Sequence, residues 1–107
     1  MDDPVVAQLA AYNAHDVDGF VACYTADAVV ASGDGRTLMT GHAEMREAYG
    51  RLFSNHADVH ADVTERLREG AWTVDHELVR TGAGTQGYVV AYRVRDGVID
   101  RVVIMGS

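Results

Sequence analysis

The sequence predicts an α+β domain whose helices cover one face of a curved antiparallel sheet. Three observations carry this. Apolar residues recur at helical spacing through the first half of the chain. From Asp58 onward the apolar period changes to two. The dipeptide Asp96-Gly97 then falls between two β-rich runs, a strong hairpin signal. Helices followed by a run of strands make an α+β layer arrangement.

Taken in order, Asp3-Pro4 is a capping residue followed by proline at the first helical position, where its missing N–H costs nothing. Val5, Leu9 and Tyr12 then mark a helix over about 4–14. "HDVDGF" breaks it, and Asp16 caps a second helix whose stripe is Val17, Phe20, Val21 and Tyr24. A short strand, Ala28 to Ser32, leads into the loop "GDGRTLMTG". Thr40 or Gly41 starts a third helix with Met45, Tyr49, Leu52 and Phe53 on its buried face. In the next segment Val59, Ala61, Val63 and Leu67 alternate with polar residues. "AWTVDHELVR", "GYVVAYRVR" and "VIDRVVIM" follow, giving a four-stranded meander.

At 107 residues the chain is expected to form a single domain over 1–107. Its formal net charge of −7 and complete lack of lysine argue against nucleic acid, which needs clustered cations on its phosphates. No apolar run is long enough to span a membrane, and the opening residues lack a basic stretch followed by an apolar one. With Cys23 as the single cysteine, the expectation is a cytoplasmic protein holding a free thiol. No phosphate loop, dinucleotide fingerprint or nucleophile elbow is present, so no cofactor is expected. His56, Asp58 and His60 alternate along one strand face, but no metal-ligand spacing supports a site, and no metal is expected.

The phrases "AYNAHDVDGFVACYTADAVV", "MTGHAEMREAYGRLF", "WTVDHELV" and "YRVRDGVIDRV", in this order, resemble SnoaL-like domains of the nuclear transport factor two-like superfamily. The resemblance covers nearly the whole chain. It implies a cone, a bent sheet wrapped around helices with an apolar pocket at one end, and a homodimer packed through the outer sheet face. Such a face would carry Val79, Val89 and Ala91. Related folds include ketosteroid isomerases and polyketide cyclases as well as non-catalytic binding modules, so fold does not settle function. In ketosteroid isomerases a helix tyrosine and a protonated late-strand aspartic acid form an oxyanion hole, while a second aspartate moves the proton. Tyr12 falls at the tyrosine position. The two acid positions fall at Ser32 and near Val90, which argues against that particular chemistry.

The polar triplet Asp75, His76, Glu77 is the remaining candidate. Alternation puts Trp72, Val74, His76 and Leu78 on one face and Thr73, Asp75, Glu77 and Val79 on the other. The more apolar face is expected to look inward, which makes His76 a pocket base with Tyr12 polarising an oxygen. Glu77 is then an outer residue paired with an arginine such as Arg93. An ungapped match to the isomerases reverses the faces, as would a one-residue bulge, and Glu77 then becomes the catalytic candidate. Trp72, Tyr88, Val90, Tyr92, Val102 and Ile104 are expected to bind the ligand, together with Tyr49 and Phe53 of the third helix. The expected ligand is a small hydrophobic molecule. The expected reaction, if there is one, is a cofactor-free isomerisation, cyclisation or dehydration.

Overall fold

Helix α1 (Pro4–Asn13) begins where Asp3 accepts a hydrogen bond from the Val5 N–H (2.9 Å), with proline in the first turn. The structure, a computed structural model, describes residues 3–106. A five-residue α2 (Val17–Val21) follows, capped by the Asp16 carboxylate on the Gly19 N–H. Then come β1 (Tyr24–Ser32), β2 (Thr37–Thr40), α3 (Gly41–Asn55), β3 (His60–Glu69), β4 (Trp72–Thr81), β5 (Gly84–Arg95) and β6 (Val98–Gly106). Among the described residues no helix is long and apolar enough to cross a membrane.

All six strands form one sheet in the order β2-β1-β6-β5-β4-β3. Strands β3 to β6 are the expected meander, joined by two-residue turns between paired Glu69 and Trp72, Thr81 and Gly84, and Arg95 and Val98. The last turn is Asp96-Gly97. Both residues take positive φ (52° and 80°), the geometry that makes such a turn match strand twist.

Three details depart from the sequence reading. The second helix stops at Val21, and Tyr24 opens a strand: the Ile99 N–H donates to the Cys23 carbonyl (2.9 Å), and Tyr24 pairs with Ile99. Pairing with β6 therefore overrides the helical stripe that continued to Tyr24. The predicted loop contains β2, which pairs antiparallel with β1. Finally, β3 carries an extra residue at Thr64, between the pairs Val63–Glu77 and Glu65–His76. This bulge reverses the facing of the rest of β3, so Leu67 points to solvent (73 % exposed) while Arg66 turns inward.

The core lies between the concave sheet face and the helices, built on Val5, Phe20, Val21, Met45, Ile99 and Val102. α1 is fastened to β3 by a reciprocal pair of hydrogen bonds. Asn13 donates to the Ala61 carbonyl (3.0 Å) and accepts from the Ala61 N–H (2.8 Å). His15 donates to the Val59 carbonyl (2.8 Å) just beyond. These contacts fix the depth at which Gln8 and Tyr12 meet the sheet.

Candidate functional site

Helices and concave sheet enclose a cavity of about 260 Å³. Its walls come from every layer. α1 supplies Gln8, Leu9 and Tyr12, and α3 supplies Tyr49 and Leu52. The sheet supplies Glu77 and Val79 from β4, Tyr88, Val90 and Tyr92 from β5, and Val102 and Ile104 from β6. Phe20 and Tyr24 close it from α2 and β1. All five tyrosines of the chain line this cavity. Among the described residues Glu77 is the only carboxyl on its wall.

The strand of the polar triplet faces opposite to what alternation suggests. Asp75 is fully buried and Glu77 nearly so (8 % exposed), while His76 is exposed. His76 therefore cannot serve as the pocket base. Its Nδ1 meets the Thr64 hydroxyl on the outer face. Trp72 likewise lies outside the cavity, half-buried on the outer surface with the Arg93 guanidinium 5.9 Å over its ring. Val79, expected on the outer face, lines the cavity instead. Phe53 is buried behind the wall, its ring stacked on His15 at 4.9 Å and edge-on to Tyr12 at 5.4 Å. Glu77 does not pair with Arg93, which grips Asp100 through Nε (2.8 Å) and a second nitrogen (3.2 Å).

The inward polar residues are tolerated because each has a partner. Asp75 accepts two hydrogen bonds from Arg66, at 2.7 and 2.8 Å, in the planar fork that a carboxylate and a guanidinium share. Arg66 reaches it because the Thr64 bulge turned it inward to the position paired with Asp75. Glu77 accepts from the Tyr92 hydroxyl at 2.7 Å. Tyr92 in turn accepts from Gln8 Nε2 (3.3 Å), and Gln8 Oε1 accepts from the Tyr24 hydroxyl (3.1 Å). Gln8, buried on α1 one turn before Tyr12, was absent from the sequence reading. Its signal was a glutamine inside an otherwise apolar helical stripe.

Electrostatics follows from burial. Removal from water raises the Glu77 carboxyl above its ordinary pKa of 4.5. The Tyr92 hydrogen bond opposes that rise, the neighbouring Asp75 charge adds to it, and Arg66 subtracts. Burial, helped by the Glu77 and Tyr88 fields, pushes the Tyr12 phenol to about 12. Tyr24, Tyr49 and Tyr92 are also raised, with burial the main cause. At neutral pH these phenols stay protonated and can donate hydrogen bonds. Cavity chemistry is thus one perturbed carboxyl facing several phenolic donors. Among the described residues no group of three or more His, Cys, Asp or Glu is arranged to hold a metal ion.

The SnoaL-like domain family matches residues 5–102. The chain belongs to that family. Among solved structures, this SnoaL-like chain is similar to an uncharacterised cystatin-fold protein from Novosphingobium aromaticivorans. That likeness has 25% identity, a TM-score of 0.90, and covers 97% of each chain. It is also similar to a proposed ketosteroid isomerase from Kribbella flavida, at 19% identity and TM-score 0.85 over 97% of this chain and 75% of that one. A proposed polyketide cyclase from Sinorhizobium meliloti gives 20% identity and TM-score 0.81 over 97% and 94%. The latter two likenesses concern the fold. A comparison with curated proteins finds no match.

Proposed function

We propose that this SnoaL-like protein binds a compact hydrophobic molecule and moves a proton on it without a cofactor, with Glu77 as the acid–base group. The observation that carries the reading is the single carboxyl, among the described residues, on the wall of a cavity lined otherwise by apolar and phenolic side chains and the Gln8 amide. A carboxyl whose pKa is raised by burial is closer to the value a general base needs near neutral pH. Tyr12, held protonated, polarises the substrate oxygen on which negative charge develops. The Tyr88 ring and the Val90, Val102 and Ile104 side chains shape the apolar part of the site.

Size narrows the substrate. An apolar cavity of about 150 Å³ holds benzene. One of about 260 Å³ suits one or two fused rings and is tight for four. Reactions of this kind are isomerisation, cyclisation or dehydration next to a carbonyl.

The test is exchange of α-protons for deuterium in a compact bicyclic ketone such as 2-tetralone. The native protein should accelerate exchange, and Glu77→Gln should reduce it by about 10²–10⁴-fold, the usual contribution of a positioned acid–base group. Equal exchange by both proteins would end the assignment to Glu77. Ligand binding unaccompanied by exchange would favour the second reading, a non-catalytic binding module. That reading draws support from Ser32 and Val90 standing where the isomerase acids fall.

The proposal includes a homodimer joined through the outer sheet face, where Val89 and Met105 are 37 % and 39 % exposed beside half-buried Val74 and Leu78. Light scattering that finds only monomer at micromolar concentration would remove it.

A further inference from the structure

Of the groups around Glu77, Gln8 has the most constrained hydrogen bonding. Its Nε2 donates to the Val5 carbonyl (3.1 Å) and to the Tyr92 hydroxyl oxygen (3.3 Å), while its Oε1 accepts from Tyr24 (3.1 Å). An amide can in principle be turned over, exchanging its nitrogen and oxygen. Here Val5 decides between the two orientations. A backbone carbonyl carries no proton, so the turned-over amide would set oxygen against oxygen in a buried place, replacing a hydrogen bond with a repulsive contact. The orientation is therefore fixed from within α1 itself.

That orientation has a consequence one step further along. Tyr92 has one hydroxyl proton. Because Gln8 presents a donor to it, that proton has no acceptor on the Gln8 side and goes to Glu77 Oε2 at 2.7 Å. With the amide turned over, Gln8 would present an acceptor and compete with Glu77 for the same proton. The hydrogen bonds from Tyr24 through Gln8 and Tyr92 thus all run in one direction and end on the carboxylate. A chain of hydrogen bonds of one sense polarises its members cooperatively.

We propose that Gln8 is a positioning residue for the cavity: its fixed amide commits the Tyr92 proton to one oxygen of Glu77 and leaves the other oxygen for the ligand. The inference rests on the reading of Glu77 as the proton-moving group, but the experiment needs no substrate. The titratable and charged groups that face Glu77 are Tyr12 from α1, Tyr24 from β1, Tyr49 from α3, Asp75 on its own strand and Arg66 from β3. Tyr92 and Tyr88 face it from β5, Tyr88 at the paired position. Gln8 carries no net charge, and its hydrogen-bonded path to Glu77 runs through Tyr92.

The experiment is a carboxyl ¹³C NMR titration of Glu77 in four proteins: native, Gln8→Met, Tyr92→Phe and the double variant. Gln8→Met keeps the length of the side chain and removes both donors and the acceptor. It should move the Glu77 midpoint to higher pH in the native background and leave it unmoved in the Tyr92→Phe background. A purely structural role for Gln8 would shift both backgrounds alike, and that result overturns the proposal. So does an unmoved midpoint in Gln8→Met alone. If Gln8→Met does not fold, Gln8→Leu is a second uncharged variant that removes the donor to Tyr92, and it should raise the midpoint in the native background and leave it unmoved in the Tyr92→Phe background if the proposal holds. In the native protein, the Gln8 amide protons should show NOEs to the Tyr92 ring, and their absence counts against it. An altered midpoint without any ketone exchange would uphold Gln8 and remove the catalytic reading. Exchange with an unmoved midpoint would do the reverse.

Discussion

On the inner face of β4, Thr73, Asp75 and Glu77 are buried, while on its outer face Trp72, Val74 and Leu78 are half-buried and His76 is exposed. The two faces put polarity where a two-layer protein ordinarily puts apolar surface, and the reverse. What differs is the supply of partners. Inside, Arg66 answers Asp75 and Tyr92 answers Glu77, so the cost of burying carboxyls is offset. Outside, apolar residues lie half-buried on the sheet without helices over them. A buried polar face is costly to fold and useful for chemistry, whereas the outer face carries neither the cost nor the chemistry.

The sharpest way to break this contrast is to orphan the inner charge. Arg66→Met leaves Asp75, fully buried, without a counter-ion. Removing one partner of a buried pair costs about 3–5 kcal/mol, and urea denaturation at pH 7 should show a loss of that size. Adding Asp75→Leu should recover most of it, since a well-packed apolar pair often replaces a buried ion pair without loss. No recovery would mean that the pair does more than satisfy itself.

Trp72→Ala comes next. On the core face this substitution would cost about 3–5 kcal/mol. Half-buried outside, Trp72 contributes partial apolar burial and the contact with Arg93, itself worth about 0.5–1 kcal/mol at an exposed site. We expect a total of about 1–2 kcal/mol for the isolated chain. A larger loss that grows with protein concentration would place Trp72 at a dimer contact.

Local pattern in the sequence makes the elements legible and the facing of β4 illegible, for one physical reason. Periodicity reports which residues alternate, not which set looks inward. Most of the cavity wall was readable because Tyr88, Val90, Tyr92, Val102 and Ile104 combine an apolar body with the correct period. Local alternation misjudged the facing of β4, which the ungapped match to the isomerases had the right way round, because that facing depends on partners elsewhere: on Tyr92 across the ladder and on Arg66, turned inward by the Thr64 bulge. Nothing local to "WTVDHELV" announces either partner. Gln8 escaped for the same reason, since its role exists only where Tyr24 and Tyr92 converge on it.

A pH series sharpens the inner half of the comparison. Burial raises the Glu77 pKa, so the folded protein holds that proton more tightly than the unfolded chain does. The associated stability is fully present below the ordinary value of 4.5 and is lost as pH rises through the folded value. Glu77→Gln cannot lose a proton. Relative to native, it should therefore gain stability across that rise and keep the gain at neutral pH. Parallel stability curves for the two proteins from pH 4 to 8 would show that burial does not perturb Glu77.

The smallest effect is expected at His76, two atoms of backbone away from the most consequential residues in the strand. Its side chain is exposed, its ring contact is with exposed Thr64, and it is not on the cavity wall. His76→Ala trims an exposed side chain, and its hydrogen bond with Thr64 can be replaced by water, so stability should change by no more than about 0.5 kcal/mol. Ketone exchange should also match native within error. The comparison with Glu77→Gln is then decisive for the orientation of β4, because neighbours in a strand point to opposite faces. If His76→Ala abolished exchange and Glu77→Gln did not, the faces would be reversed in solution, and with them the assignment of the site.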